Sequence, residues 1–169
     1  MTDISPLQLA LELEKKGYEY YTANAAKATN PLAQRVLESL AQQEKQHMNW
    51  IRDLVAGEQA PPQTVPAQSV EAAVREVFEK FTAVERKGWK NQNSDVYEHA
   101  MQLEKESYEL YQKLHDTATT AAGRDFFTAL MDMENSHHAA LQNVHFYLTD
   151  TTDYNHESES ASGWNWMTL

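Results

Sequence analysis

The 169-residue sequence contains no cysteine, an absence that excludes disulfides, thiolate-bound zinc, iron–sulfur clusters and thiol nucleophiles. Glycine and proline are scarce, five of each, and they cluster, so long stretches run without a helix breaker. Basic residues are in the minority. The 14 Lys and Arg stand against 25 Asp and Glu, and the formal charge of −11 disfavours nucleic acid and anionic membranes as partners while suiting cations. No apolar run approaches the roughly 20 residues of a membrane span, and the mean hydropathy is −0.68. Residues 1–10 carry neither the basic region nor the apolar stretch of a secretory signal. The length suits one domain with a sizeable core. These features lead us to expect a soluble cytoplasmic protein without nucleic-acid or membrane partners.

Apolar residues recur at helical spacing along almost the whole chain. Ser5–Pro6 reads as an N-cap with Pro at the first helical position. Leu7, Leu11, Glu14, Tyr18, Tyr21 and Ala25 then form a stripe that ends at Thr29–Asn30–Pro31. Val36, Leu40, Glu44, His47, Ile51 and Leu54 form a second stripe, ending near Gly57. Residues 57–69 are a Pro-rich polar linker. Val70 to Val84 reads as one amphipathic helix stopping at Lys87–Gly88, about 27–30 Å long and able to run back along a bundle. A loop over Asn91–Ser94, with Ser94 as N-cap, leads into the stripe Tyr97, Met101, Glu104, Tyr108, Tyr111 and Leu114. After a break at Thr117–Gly123 comes the last stripe: Phe127, Leu130, Glu134, His137, Leu141, Val144 and Leu148. Nothing alternates with period two. The fold class is all-α.

The sequence also repeats itself. A shift of 90 residues lays LEKKGYEYY (Leu13–Tyr21) on LEKESYELY (Leu103–Tyr111), and Leu40, Glu44 and His47 on Leu130, Glu134 and His137. Glu14 and Glu44 are 30 residues apart, as are Glu104 and Glu134, and each midpoint falls at a helix break. Folded as hairpins, both pairs return their two Glu to one level. The members of Glu-x-x-His lie three apart, about 60° and 4.5 Å from each other on a helix, and both interrupt the Leu stripe. Four Glu and two His therefore converge inside the bundle: Glu14, Glu44, His47, Glu104, Glu134 and His137.

Each isolated carboxylate buried there would cost on the order of several kcal/mol. Two divalent cations cancel the four negative charges. Oxygen donors with one imidazole per ion suit iron or manganese better than zinc, which takes fewer ligands. One Glu from each of two helices and Glu-x-x-His from each of two others is the donor set of dinuclear carboxylate bundles. Glu44 and Glu134, each sharing a helix with a His, are the better candidates to bridge. Tyr21 and Tyr111 fall seven residues after a ligand Glu, placed to hydrogen-bond the carboxylates of the other hairpin. Gly17 and its counterpart Ser107, one turn after Glu14 and Glu104, are small enough to leave room for an oxidant or for close helix packing. His99, His115, His138, His145 and His156 have no matched partner and read as surface or packing residues. A half-turn of distortion would let His138 replace His137.

On these motifs the chain resembles the ferritin-like superfamily, and within it the rubrerythrin type. LAQQEKQH (Leu40–His47) is similar to the second-helix ligand motif of rubrerythrin domains, and LEKESYELY to the third-helix motif. The resemblance spans residues 5–148. It implies a ferritin-like four-helix bundle of two pseudo-repeated hairpins joined by a long helical crossover. Residues 1–149 would form the bundle, with 57–93 as linker and crossover helix, and 150–169 a polar tail holding Trp164 and Trp166. It further implies two iron ions, with manganese possible, and reduction of hydrogen peroxide or dioxygen coupled to Fe(II) oxidation. Two departures stand out. Full rubrerythrins carry a Cys-ligated rubredoxin domain, so the implied electron donor here is external, such as a rubredoxin-like protein. They also carry a further Glu one turn after the third-helix ligand, where this chain has Ser107, and the symmetric set is closer to a bacterioferritin-type ferroxidase centre. The leading expectation is a di-iron oxidoreductase assembling as a homo-oligomer, in the first instance a dimer. The alternatives are a ferritin-like iron-storage protein and a di-iron hydroxylase.

Overall fold

Local chemistry places the helix ends. The Ser5 hydroxyl accepts the Gln8 amide at 3.2 Å and Pro6 fills the first helical position, starting α1 (Pro6–Lys27). Asn30 does the same for α2 (Pro31–Val55), accepting the Ala33 amide at 2.8 Å with Pro31 next. Helix α2 ends in two reverse hydrogen bonds, from Gly57 to the Leu54 carbonyl and from Glu58 to that of Asp53. Gly57 sits there at φ +83°, where a side chain would be strained. The computed structural model describes residues 5–58, 62–63, 65–90, 94–149 and 165–168, and among these there is no strand. The remaining helices are α3 (Val70–Lys80), α4 (Ala83–Lys87), α5 (Ser94–Thr117) and α6 (Ala121–Thr149), and a 3-10 turn covers Asn165–Thr168. The all-α four-helix bundle read from the sequence is the architecture found.

Helix α1 pairs with α2, and α5 with α6, as two antiparallel hairpins with short connections. Across the hairpins Tyr20 of α1 bonds the Val96 carbonyl of α5, whereas Lys16, a turn earlier, meets Glu106, further along α5. These two helices are therefore antiparallel, so α2 and α5 run the same way. The connection between them must traverse the bundle, and α3 lies along it, against α2 and α6. That is the single-crossover topology of ferritin-like bundles.

The crossover is not one helix. Phe81 adopts an extended conformation, and Thr82 opens a new helix with a capping box: its hydroxyl accepts the Glu85 amide while the Glu85 carboxylate accepts the Thr82 amide. Arg86 then reaches back from α4 to the Phe78 and Phe81 carbonyls, satisfying the end of α3. Apolar spacing carries straight through this break; the Thr-x-x-Glu pattern is what marks it. The α5–α6 break is also shorter than read, residues 118–120, because the Thr120 hydroxyl accepts the Gly123 amide and Gly123 joins the first turn of α6. The cap read at Ser94, as well as His156 and Trp164, lies outside the described side chains.

Two apolar clusters fill the bundle on either side of its middle. One gathers Leu32, Val36, Leu40, Tyr97, Leu141 and Leu148; the other Ile51, Leu114, Phe126, Phe127 and Leu130. The described part of the tail docks onto α3. Trp166 donates its indole N–H to Glu71 at 3.0 Å and lies 4.1 Å from the Arg75 guanidinium, while Met167 is 2% exposed within the first cluster. Met167→Ala should therefore lower stability by about 2–3 kcal/mol, as for a buried Met truncated elsewhere. Urea unfolding is the measurement; an unchanged midpoint would detach the tail from the core.

Candidate metal centre

Between the two clusters the apolar stripe of each long helix is broken by acid or imidazole, and these groups meet. Glu14, Glu44, His47, Glu104, Glu134 and His137 are each no more than 4% exposed. They form two four-residue groups, each able to bring one ligand atom per residue within 4.8 Å of all the others. The first is Glu14, Glu44, His47 and Glu134; the second is Glu44, Glu104, Glu134 and His137. Glu44 and Glu134 belong to both. All six positions singled out in the sequence are brought together, and the structure holds them in a two-fold pseudo-symmetric frame.

Both imidazoles turn Nδ1 inward. His47 Nδ1 lies 3.2 Å from Glu14 and 3.1 Å from Glu134, and His137 Nδ1 lies 3.3 Å from Glu104, 3.4 Å from Glu44 and 3.5 Å from Glu134. The rings stack with centroids 5.3 Å apart. Tyr21 donates its hydroxyl to Glu104 and Tyr111 donates to Glu14, so each hairpin's tyrosine holds the other hairpin's first-helix carboxylate. His138 stays half-buried and lines a separate cleft of about 160 Å³ with Glu104 and Glu134 at its base. It does not take the place of His137.

Of the two readings of Gly17, the structure shows close packing, against a side chain of α2. A Cβ built there would lie 3.2 Å from Glu44 Oε2 and 3.4 Å from its carboxyl carbon. The space left by the missing side chain is taken by Glu44 itself. In chemical terms Gly17 is a positioning residue for a shared carboxylate.

The electrostatics of the protein-only cluster divide the carboxylates by position. Burial raises Glu14, but the charge of His47 and hydrogen bonds from its neighbours, including Tyr111, bring it down to about 2. Glu104 is lowered in the same manner, burial being outweighed by His137 and Tyr21. Glu44 and Glu134, buried and surrounded by the other carboxylates, are raised well above the usual range. Burial lowers His137, and the charge of Glu104 more than reverses this. Burial and like charge thus favour the protonated form most at the two shared carboxylates.

A metal pair fits this set on structural grounds. Glu44 Oε1, Glu104 Oε2 and both oxygens of Glu134 are buried and meet an imidazole Nδ1 at 3.1–3.5 Å without making a hydrogen bond, so two imidazoles are shared among too many carboxylate oxygens, a costly condition that cations would relieve. Four carboxylates and two imidazoles are the donors that iron or manganese prefers.

Besides the small cleft beside His138, a larger groove among the described residues reaches the centre from the surface. It measures about 450 Å³, lies between α2, the start of α3, and α6, and includes His137 among its walls. His47 is fully buried, and the Trp50 indole stacks on it, so among the described residues no groove has His47 in its walls. Neither feature was read from the sequence, although comparing Trp50 with its repeat partner Ala140 would have pointed to both.

The family model described as rubrerythrin matches residues 6–145, and the chain belongs to the rubrerythrin family. Searches of curated proteins and of solved structures return no match. None of the described helices is long and apolar enough to cross a membrane.

Two expectations follow. Gly17→Ala should displace Glu44 and weaken uptake of the second metal ion at least tenfold, with helicity unchanged, as read by metal titration against a competing chelator. Because burial and the neighbouring carboxylates raise Glu44 and Glu134, metal binding there should release protons and weaken as pH falls. Calorimetry of Mn(II) binding in buffers of different ionisation enthalpy measures that release, and buffer-independent heats would contradict it.

Proposed function

We propose that this chain is a di-iron carboxylate oxidoreductase that reduces hydrogen peroxide or dioxygen at the expense of Fe(II). The observation that carries the reading is the pair of donor groups sharing Glu44 and Glu134, since two overlapping sites with two common carboxylates are what a closely spaced metal pair requires. Glu14 and His47 would hold one ion, Glu104 and His137 the other, with Glu44 and Glu134 spanning both. A bound iron pair would supply the redox equivalents and the Lewis acidity for reducing an O–O bond.

The protein's own contribution is placement and exclusion of water. Tyr21 and Tyr111 orient Glu104 and Glu14 through their hydroxyls, fixing which oxygen faces the centre. The apolar clusters on both sides keep the site dry, which strengthens every charge–charge contact inside it. No cysteine is present in these 169 residues, so the returning electrons come from outside them. A cytoplasmic setting, a rubredoxin-like or small-molecule donor and a homodimer belong to the same proposal.

A ferroxidase and storage role is the second reading. It is favoured by the symmetry of the donor set and by Ser107, which stands one turn after Glu104 and leaves each ion the same ligands. Anaerobic Fe(II) loading should reach two ions per chain and fall to one or fewer in Glu44→Ala. Stopped-flow oxidation then separates the readings. Faster reaction with peroxide supports the oxidoreductase, whereas faster reaction with dioxygen, together with a cage-sized particle in light scattering, supports storage.

A further inference from the structure

Around the two histidines the pseudo-symmetry of the bundle fails, and it fails in one direction. On α2 the Trp50 indole covers His47, ring centroids 5.7 Å apart and planes 25° from parallel. The repeat shift of 90 residues pairs Trp50 with Ala140, Asn49 with Ala139 and Gln46 with Ser136. Each residue on α6 is the smaller of its pair, and all three line the 450 Å³ groove. The groove is thus the volume that three truncations leave beside His137.

The orientation of His137 restricts what an occupant can do. Its Nδ1 faces the carboxylates of Glu44, Glu104 and Glu134 and one face of its ring stacks on His47, so the opposite face and the far edge are what is left for the groove. A molecule in the groove touches the back of the imidazole and not the carboxylate cluster. That position suits delivery of electrons through the ring and does not suit an oxidant, which must reach the reacting centre itself. The volume lies within the roughly 300–1,000 Å³ of ordinary small-molecule sites, and Val70, Met133 and Ala140 give it apolar walls. The first copy of the repeat shows what stacks there: a flat aromatic ring, Trp50 on His47.

We propose that this groove binds a planar aromatic two-electron reductant of the hydroquinone class, stacked on His137 as Trp50 stacks on His47, and that this molecule is an electron donor to the centre. The inference rests on the di-iron reading above. The hydroquinone loses two electrons and its two O–H protons to become the quinone. An Fe(III) pair held by the six ligands would take up the two electrons, one per ion, and the two protons would pass to water at the open side of the groove.

The probe is 1,4-dihydroxynaphthalene under anaerobic conditions, titrated into the metal-free full chain and followed by calorimetry and by the side-chain ¹⁵N signals of His137. One probe per chain should bind and shift His137. Ala140→Trp, which installs the indole found on the other side, should weaken binding at least tenfold. In the Fe(III)-loaded protein the same substitution should slow reduction by the probe at least tenfold while leaving reduction by dithionite and the iron content unchanged. If Ala140→Trp does not fold, the double variant Ser136→Gln, Ala139→Asn narrows the groove with the residues α2 carries. His137 signals that ignore saturating probe, or a filled groove that binds it as tightly as before, would overturn the proposal. A chain that loads two irons yet ignores the probe rejects the groove alone. A chain that binds the probe at His137 but takes up no iron rejects the di-iron reading, and electron donation with it.

Discussion

Four carboxylates and two imidazoles packed between apolar clusters are the constraint around which this molecule is built. Such a set is tolerable only when each charge faces an opposite charge, a hydrogen-bond donor or a cation. Tyr21, Tyr111, His47 and His137 meet part of that demand, and the oxygens of Glu44, Glu104 and Glu134 that face an imidazole without hydrogen-bonding it mark the part they leave. The geometry of the helices follows from the same demand. Each hairpin must return its second Glu to the level of its first, and the crossover must run the length of the bundle so that the two hairpins present their acidic faces to each other.

The bundle and its centre were legible in the sequence because they depend on helical period and on the internal repeat. Both are local or near-local signals: Glu-x-x-His lies within one turn, and the 30-residue separation of paired Glu reflects two arms of equal length. The cross-hairpin reach of Tyr21 and Tyr111 was legible for the same reason, being a matter of phase on α1 and α5. What escaped depends on which contact wins. Apolar residues continue from Val77 through Phe78 and Phe81 to Val84, yet the Thr82–Glu85 capping box and the return of Arg86 to the end of α3 divide that segment in two. Gly17 read equally as room for an oxidant or as close packing; which of the two holds is decided across helices, and Glu44 packs into the gap. Likewise, Trp166 docks on Glu71 and Arg75 over a sequence distance that no periodicity reports.

Symmetry and its breaking divide the labour within the site. The donor atoms follow the repeat closely, so the two halves offer a metal pair nearly the same ligands. The surroundings do not follow it. Trp50 seals His47, whereas Ser136, Ala139 and Ala140 expose one side of His137 to a groove. A repeated core with unequal surroundings gives one centre a closed side and an approachable side without altering the ligands themselves.

The exchanged hydrogen bonds, Tyr21 to Glu104 and Tyr111 to Glu14, make the two hairpins depend on each other. Neither hairpin orients its own first-helix carboxylate; each relies on the tyrosine of the other. One copy of the helical pair, alone, would be incomplete, and two identical copies placed face to face would complete each other. Joining the two hairpins in a single polypeptide keeps that reciprocity and leaves each half free to differ wherever the other does not depend on it. Trp50 and Ala140 stand at such a place.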